Sequence, residues 1–462
     1  MPKIGFFKEE DRMDLEGLLN KTLKPALGCT EPVAVAFGVA AASQAVGGWR
    51  PGQDGCVIHN IPAADVLSIR VRVNRNIFKN AFSIYIPNTG GHKGIVMAAA
   101  LGVWCNPAAG LQLFHGLDPE NVTKARYLIE QGRVSIEIVS ADHTDLFIEA
   151  HVRLRRGSEI HEGASVVQDE HTNLVLLKCD GNEIFRKSSL PHLGQDLKES
   201  LQELAGLTFE DLVRMAGGLP ESAHPLLLRT IELNRSAAEI GLEQPLGLGV
   251  GYYGSQSGEP PGNRSYLADG SAGGSDARMS GYPVEVMSSA GSGNQGIIAT
   301  LPVYSYCREA GIDGPPMLKA IALSHLVTMY VTSHVGYLSS LCGVAIKAGI
   351  GAACGITYAM GGGVEEIQRA VKIVAATLSG VICDGAKPGC ALKVSSSSDI
   401  AFRAASLAMK NVDISDENGI VADTAENTVR NLARLNQSMS TVEEKIIQIM
   451  QEKIRLPKSP GD

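Results

Sequence analysis

The pattern of apolar and polar positions divides the chain into a short helical start, a strand-rich middle and a long helical remainder. Apolar residues recur with helical spacing at 11–23 and at 30–46, and two glycines end the second helix. From 57 to 187 the runs become β-branched and alternating, which is typical of strands. The predicted strands lie at 66–73, 82–86, 134–139, 145–153 and 173–177, with helices inserted at 94–104 and 118–131.

After residue 190 the strand signals fade, and long apolar-periodic segments continue to residue 451 between Gly-rich joints. The helices predicted at 318–341, 364–381 and 400–409 are rich in Ala, Gly and Ser, which permits close backbone approach in a tight bundle. We therefore expect an α+β fold in which a mostly antiparallel sheet region with helices packs against a larger helical, Gly/Ala-rich domain.

The same pattern predicts the domain boundaries. We place N-terminal helices at 1–56 and expect them to pack on the helical domain. The sheet-containing domain follows at 57–190, the helical domain at 191–455 and a polar tail at 456–462.

Charge and cysteine usage narrow the class of protein. The chain has 462 residues with 41 basic and 49 acidic side chains and no long basic run, which argues against nucleic acid and anionic membranes as partners. We find no signal peptide and no 18 uninterrupted apolar residues, so we expect a cytoplasmic protein. Its nine cysteines would then lie in a reducing compartment, where a disulfide framework is not expected.

The segment from Cys383 to Cys390 has two thiols around Gly385, Pro388 and Gly389, which prevent a regular helix. A loop of this kind can curl around a compact inorganic centre and turn backbone N–H groups toward negatively charged sulfur. Two buried cysteines in a tight connection would give the same pattern. Zinc is a weaker explanation, because structural zinc sites usually separate paired ligands by about two to four residues, whereas six residues separate Cys383 from Cys390.

Cys342 is a third candidate ligand. We expect it at the end of a helix that carries His334 and Tyr337 on one face, with Gly343 as the helix-ending residue. Cys354 lies among small residues further on, and we favour a packing role for it.

Cys29 has a distinctive setting, Gly-Cys-Thr-Glu-Pro at 28–32. Thr30 can cap a helix that has Glu31 and Pro32 in its first turn. A thiol just outside a helix N-terminus is favoured as thiolate, so we expect a lowered pKa that suits a base or a nucleophile. A small apolar residue before a helix would look the same.

The Gly-rich tract at 269–296 leads into apolar, helix-like sequence. Its last three glycines formally match the dinucleotide fingerprint, but no clear second strand of a βαβ unit follows. We interpret the tract as an anion cradle for a substrate carboxylate, with a flexible linker as the alternative. The residues assigned to substrate binding are Ser288, Ser289, Ser292, Gly293 and Asn294.

Taken together, these motifs resemble the L-cysteine desulfidase family, a UPF0597-like group related to the α-domain of iron-sulfur L-serine dehydratases. The resemblance covers most of the chain, through LKPALGCTEP at 23–32, GSGNQG at 291–296, LSSLCG at 338–343 and CDGAKPGC at 383–390. Several separated motifs in the same order are far more specific than any one of them.

The resemblance implies a [4Fe-4S] cluster held by Cys342, Cys383 and Cys390, and a catalytic cysteine at Cys29. It also implies a lyase that converts L-cysteine to pyruvate, ammonia and sulfide without pyridoxal phosphate. The chain departs from the family pattern at Tyr337, where we expect a basic residue, and this bears on substrate contacts but not on the ligands.

The implied chemistry is consistent with the residues. Three thiolates leave one iron of a four-iron cluster free as a Lewis acid, and the Cys29 thiolate can remove the α-proton. A serine or threonine dehydratase with the same cluster and a non-catalytic iron-sulfur redox sensor remain alternatives. We expect a small amino acid as the partner, no nucleic acid and no membrane, and leave a homo-oligomer open.

Overall fold

The computed structural model describes residues 13–55, 60–139, 146–187, 194–256 and 265–455. The predicted polar tail at 456–462 lies outside these residues, as does Cys56.

Most strands of the described residues belong to one six-stranded sheet. In chain order the strands are β1 (Leu23–Leu27), β2 (Val66–Val73), β3 (Val134–Ile138), β4 (Phe147–Arg156), β5 (Glu159–Gln168), β6 (Leu174–Cys179), β7 (Asn182–Arg186) and β8 (Glu285–Ser289). The sheet has the order β3-β2-β4-β5-β6-β7, and only β2 and β3 run parallel. The prediction of a mostly antiparallel sheet is confirmed.

Helices make up most of the remaining described chain. In chain order they are α1 (Leu15–Thr22), α2 (Thr30–Ala45), α3 (Arg75–Ala81), α4 (Ile95–Gly102), α5 (Pro119–Glu130), α6 (Gly194–Ala205), α7 (Phe209–Gly217), α8 (His224–Glu243), α9 (Val250–Ser255), α10 (Ser265–Met279), α11 (Gly293–Glu309), α12 (Pro315–Val335), α13 (Gly349–Ala359), α14 (Val364–Leu378), α15 (Cys390–Ala408), α16 (Ala425–Gln437) and α17 (Ser440–Arg455). The α+β class is confirmed, with the larger helical region in the second half of the chain.

The strand predicted at 82–86 is wrong. Asn74 caps helix α3 by accepting a hydrogen bond from the amide of Ile77, and Tyr85 forms only an isolated bridge with Lys93. Strand β5 was not predicted, because its first four residues are largely exposed and show no apolar alternation. Pairing with β4 along its whole length holds it in the sheet.

Helix α2 lies against the sheet and is buried along its whole length. Its apolar residues share one core with those of β2, β4 and α4. Gly163 on β5 permits this close packing, because a Cβ there would lie 1.8 Å from the carbonyl oxygen of Ala42.

The second core belongs to the helical region. Helix α12 is buried on all sides at its centre, where Tyr330 contacts Phe209 edge-on at 5.3 Å between ring centroids. Leu15, Leu18 and Leu19 of α1 join this core. The two N-terminal helices therefore pack on different regions: α1 packs on the helical region, whereas α2 packs on the sheet.

The helix predicted at 318–341 ends early. Helix α12 stops at Val335, and Gly336 with a φ of 98° leads the chain out of the helix. Cys342 therefore closes no helix, and Tyr337 does not share a helix face with His334. Gly343 has helical dihedrals and precedes the π-helical turn Val344–Ala348, so it begins the next helix instead of ending one.

The last helix, α17, returns from the helical region to the sheet region. Glu443 pairs with Lys79 of α3 at 2.5 Å, and Glu444 pairs with Arg75 at 2.8 Å. Ile447 enters the core that α2 shares with the sheet. In the described ranges, no helix combines the length and the apolar character needed to cross a bilayer.

Candidate functional site

One cavity between the two regions gathers the cysteines that the sequence singles out. Cys29, Cys342, Cys383 and Cys390 all line it, together with residues of α2, α3, α10 and α11. The other described cysteines, at 105, 179, 307 and 354, are not among its lining residues. The cavity is therefore lined by both the sheet region and the helical region.

Strand β1 and a tight turn place Cys29 in this cavity. Strand β1 pairs with β8 of the helical half, and Gly28 with a φ of 72° turns the chain into α2. A Cβ at Gly28 would lie 2.6 Å from Cγ of Pro87. Glycine therefore suits this position both because of its positive φ and because no side chain would fit beside Pro87. Cys29 itself stands at the N-cap without a side-chain cap bond, and Thr30 is the first helical residue rather than the cap.

The thiol of Cys29 belongs to a buried hydrogen-bond network around Glu31. Cys29 Sγ donates to Glu31 Oε2 at 3.0 Å, and the Thr30 hydroxyl donates to the same oxygen at 3.2 Å. The side-chain amide of Asn80 donates to Oε1 at 2.9 Å. Both carboxylate oxygens therefore have donors, which stabilises an ionised Glu31.

The expected lowering of the Cys29 pKa is wrong for this state. Burial raises the pKa of Cys29 well above its usual value, the charge of Glu31 raises it further, and Arg278 only partly opposes them. Burial alone would also raise the pKa of Glu31, but His171 and the Cys29 hydrogen bond hold it below its usual value. The proton therefore stays on sulfur, as a thiol that donates to a carboxylate.

Two adjacent extended segments hold Cys342 and Cys383. The amide of Cys342 donates to the carbonyl of Val381 at 2.8 Å, and the amide of Cys383 donates to the carbonyl of Ser340 at 2.7 Å. This ladder brings two thiols distant in sequence to one wall of the cavity.

Cys390 is the first residue of α15, at the end of the predicted loop. Its Sγ lies 3.8 Å from the carbonyl oxygen of Gly385, and its amide donates to the carbonyl of Lys387 at 2.9 Å. Gly385 has a φ of 93°, and a Cβ there would lie 2.4 Å from the backbone oxygen of Lys79. The loop thus passes directly against α3.

The three thiols are close enough to influence one another. Burial raises the pKa of Cys342 to about 11, and Cys383 and Cys390 contribute to the increase while Lys393 opposes it. Burial likewise raises the pKa of Cys390, and Lys387 opposes that increase. Two lysines therefore accompany a group of thiols that would become anionic on binding metal.

The donor set is chemically suited to an iron-sulfur cluster. In the part of the chain that the structure describes, no three His, Cys, Asp or Glu side chains are arranged to hold a single metal ion. A cluster presents several irons, each of which takes its own thiolate, so its ligands need not converge on one atom. Three soft sulfur donors match that requirement.

The predicted anion cradle is a tight turn followed by a helix. Ala290 and Gly291 have φ angles of 46° and 79°, and Ser289 and Ser292 exchange backbone hydrogen bonds at 3.1 Å. Ser292 then caps α11, where its hydroxyl accepts from the amide of Gln295 at 3.5 Å. The Ser292 amide is therefore already occupied.

The structure brings only part of the predicted cradle to the cavity. Ser292 and Asn294 line it, whereas Ser288, Ser289 and Gly293 do not. The Ser288 hydroxyl donates to the carbonyl of Lys24 at 2.7 Å. The Ser289 hydroxyl lies 3.0 Å from Nδ1 of buried His325.

Several polar residues of the cavity were not assigned from the sequence. Arg278 and Lys347 are each the only basic residue in a Gly/Ala-rich segment, a signal that was available in the sequence because basic side chains are rarely buried. Lys347 donates to the carbonyls of Gly336 at 2.6 Å and Tyr337 at 3.1 Å, which places a cation beside the position where a basic residue was expected. Asn80 and His171 come from the sheet region.

Comparison with known proteins begins with a family model that matches the second half of the chain. The family model described as serine dehydratase alpha chain matches residues 224–448, which include α10, α11 and the three clustered cysteines but not Cys29.

Full-length relatives define the family. A UPF0597 protein of Caldanaerobacter subterraneus subsp. tengcongensis is 35% identical over 446 residues, covering 96% of this chain and 99% of the relative. UPF0597 proteins of Geobacter sulfurreducens and Desulfotalea psychrophila are 37% and 33% identical, covering 93% and 96% of this chain and 96% and 99% of the relatives. The chain belongs to the UPF0597 family.

Proposed function

We propose that this protein is an iron-sulfur lyase that removes the β-substituent of a small amino acid, with L-cysteine as the leading substrate. The observation that carries the proposal is the convergence of Cys29, Cys342, Cys383 and Cys390 on one cavity. Similarity to the serine dehydratase alpha chain supports a lyase-like function at the level of the family.

Cys342, Cys383 and Cys390 would hold a [4Fe-4S] cluster. When bound, the cluster would supply a Lewis acid at the iron that lacks a protein thiolate. Lys387 and Lys393 would offset part of the negative charge of the three thiolates.

Cys29 would act as the base that removes the α-proton. The proton stays on sulfur in the unliganded state, so Cys29 would ionise only when cluster and substrate are bound, and Glu31, which accepts from the thiol at 3.0 Å, is the group placed to receive that proton. The thiolate then takes the proton from Cα, the C–H electron pair forms the Cα=Cβ bond, and the C–S bond breaks to release sulfide. The resulting aminoacrylate rearranges to the imine, and water hydrolyses it to pyruvate and ammonia.

A serine or threonine dehydratase is the second candidate, favoured by the description of the matching family model. Only the leaving group differs, since hydroxide replaces sulfide. A redox sensor, in contrast, requires neither Cys29 nor the polar wall formed by Ser292 and Asn294.

The test is anaerobic purification followed by iron and sulfide analysis and parallel assays with L-cysteine and L-serine. We expect sulfide and pyruvate in equal amounts from L-cysteine, with a higher kcat/KM than for L-serine. A higher value for L-serine would make the protein a dehydratase. Iron-loaded protein that forms pyruvate from neither amino acid would contradict the lyase proposal.

A further inference from the structure

We propose that Arg278 binds the carboxylate of the substrate and thereby selects amino acids that have a free carboxylate. The inference rests on the proposed function, which it extends by naming the charged residue that recognises the substrate class.

Arg278 lies in the last turn of α10, is 3% exposed and lines the cavity. Its Nη1 donates to Asn294 Oδ1 at 3.1 Å and lies 4.0 Å from the sulfur of Met279, while its buried Nε has no hydrogen-bond partner. Among the described residues, no carboxylate forms an ion pair with it. A buried guanidinium without a paired anion is costly, so a bound anion would stabilise it.

Glu31 is the nearby anion that could neutralise Arg278, and its contacts show that it is otherwise engaged. Glu31 and Arg278 both line the cavity, and Arg278 contributes to the lowering of the Glu31 pKa. The oxygens of Glu31, however, accept from Cys29, Thr30 and Asn80, and no ion pair joins Glu31 to Arg278. The guanidinium thus keeps donors for a ligand.

The start of helix α11 supplies the second half of the site. The amide of Asn294, a residue that lines the cavity, lies in the first turn of this 17-residue helix, where no preceding carbonyl of the helix can accept from it. A Cβ at Gly293 would lie 2.3 Å from Arg278 Nε and 2.8 Å from its Cζ. Glycine at this position therefore allows the Arg278 guanidinium to lie directly over the N-terminus of α11. The planar guanidinium and the positive end of the helix dipole would both stabilise a carboxylate bound there.

Carboxylate binding at Arg278 would also orient the reacting carbon. Arg278 lowers the pKa of Cys29, so the anchoring charge and the proposed base lie within electrostatic reach of each other. A substrate held by its carboxylate would present its α-carbon to the same part of the cavity.

The first test uses the iron-loaded parent protein and ligands that cannot eliminate. Anaerobic calorimetry would compare L-alanine with L-alaninamide, which differ only in the carboxylate. We expect L-alanine to bind at least about 10-fold more tightly than L-alaninamide, because the amide cannot form the charged hydrogen bond between a carboxylate and Arg278. Equal affinities, or no binding of L-alanine, would overturn the proposal.

The second test compares Arg278→Gln and Arg278→Lys with the control Arg235→Gln, which removes a half-exposed guanidinium paired with Glu239. We expect Arg278→Gln to lose roughly 10- to 100-fold in kcat/KM, mainly through KM, and to lose its preference for L-alanine. Arg278→Lys should be intermediate because it keeps the charge without the fork, and Arg235→Gln should match the parent. Thermal unfolding checks that each variant is folded.

The two proposals can fail separately. If L-alanine binds through Arg278 but no amino acid is turned over, the lyase proposal fails and the carboxylate site stands. If Arg278→Gln turns over L-cysteine with the parent KM, the lyase stands and the role of Arg278 is wrong.

Discussion

At the scale of single residues, the proposed roles of the cysteines depend on which thiols are protonated and which could ligate metal. The thiol of Cys29 is buried and donates to Glu31, whereas Cys342, Cys383 and Cys390 lie near Lys387 or Lys393. This difference in surroundings supports the proposal that Cys29 is catalytic and that the other three cysteines are ligands.

The ligand assignment predicts the iron content of serine variants. Cys342→Ser, Cys383→Ser and Cys390→Ser should each lower iron content and visible absorbance, because a hydroxyl is a poor replacement for a thiolate on iron. Cys105→Ser and Cys307→Ser alter buried thiols outside the cavity and should keep the iron of the parent. Full iron content in all three ligand variants would refute the assignment.

The base assignment predicts that iron content and activity separate in Cys29→Ala. This variant should keep its cluster yet lose about 10² to 10⁴ in turnover, the usual contribution of a positioned base. Both quantities would be measured on the same anaerobic preparation, together with exchange of the substrate α-proton in deuterated buffer. Iron loss in proportion to activity would make Cys29 a ligand, and exchange at the parent rate would identify another residue as the base.

At the scale of elements, three side chains fix the position of β8 and α11. Buried His325 of α12 lies 3.0 Å from the Ser289 hydroxyl through Nδ1 and 3.1 Å from the Thr300 hydroxyl through Nε2. The histidine therefore joins a strand and two helices directly beside the cavity, which explains why Ser289 is engaged in the fold.

His325 predicts a pH dependence of stability. Burial lowers its pKa to about 3, whereas an unfolded histidine titrates at about 6.5, so the unfolded chain binds an extra proton between these values. The free energy of unfolding should fall as the pH decreases from about 6.5 toward 3, by at most about 1.4 kcal/mol per pH unit. His325→Gln should show a shallower dependence in denaturant titrations at several pH values. The surface control His115→Gln should retain the parent slope, and equal slopes for both variants would disprove this role of His325.

The sequence predicted elements where the apolar pattern was uninterrupted. The bounds of β2 and α2 were correct within a residue, because their patterns are long and end at clear signals. The end of α12 was missed because the apolar pattern continues past Gly336, and β5 was missed because its hairpin end is exposed on both faces. The positive φ of Gly336 ends α12, and pairing with β4 holds β5 in the sheet. Neither feature can be read from the hydropathy pattern.

At the scale of the whole molecule, the cavity is made by packing between distant parts of the chain. The motifs identified Cys29 and the three clustered cysteines, but Asn80 and His171 enter from the sheet region, where no local signal marked them. Arg278 was recognisable as an isolated cation, yet only the fold shows that it lines the same cavity as Cys29. Sequence therefore indicated the reactive groups, and tertiary structure supplied the residues that surround them.

The contact between α17 and α3 predicts how the C-terminal helix supports this cavity. Lys79 is fully buried and pairs with Glu443, and its neighbour Asn80 hydrogen-bonds Glu31. The backbone oxygen of Lys79 faces Gly385 in the loop at 383–390, which is called the ligand loop below because it carries two of the proposed ligands. Glu443→Gln would leave a buried ammonium without its anion, and we expect a loss of about 3 kcal/mol in the free energy of unfolding. Because the ligand loop lies against Lys79, iron should also be released to a chelator faster than in the parent.

Two comparisons isolate the buried ion pair from a general effect of charge. Glu444→Gln breaks the exposed pair with Arg75 and should cost at most about 1 kcal/mol, with iron release unchanged. The double variant Lys79→Met, Glu443→Leu removes both charges and should recover most of the stability, since apolar side chains can replace a buried ion pair at little cost. Chemical denaturation and iron-release kinetics on all three proteins would provide the measurements. If Glu443→Gln behaved like Glu444→Gln, α17 would be a peripheral helix with no part in supporting the ligand loop.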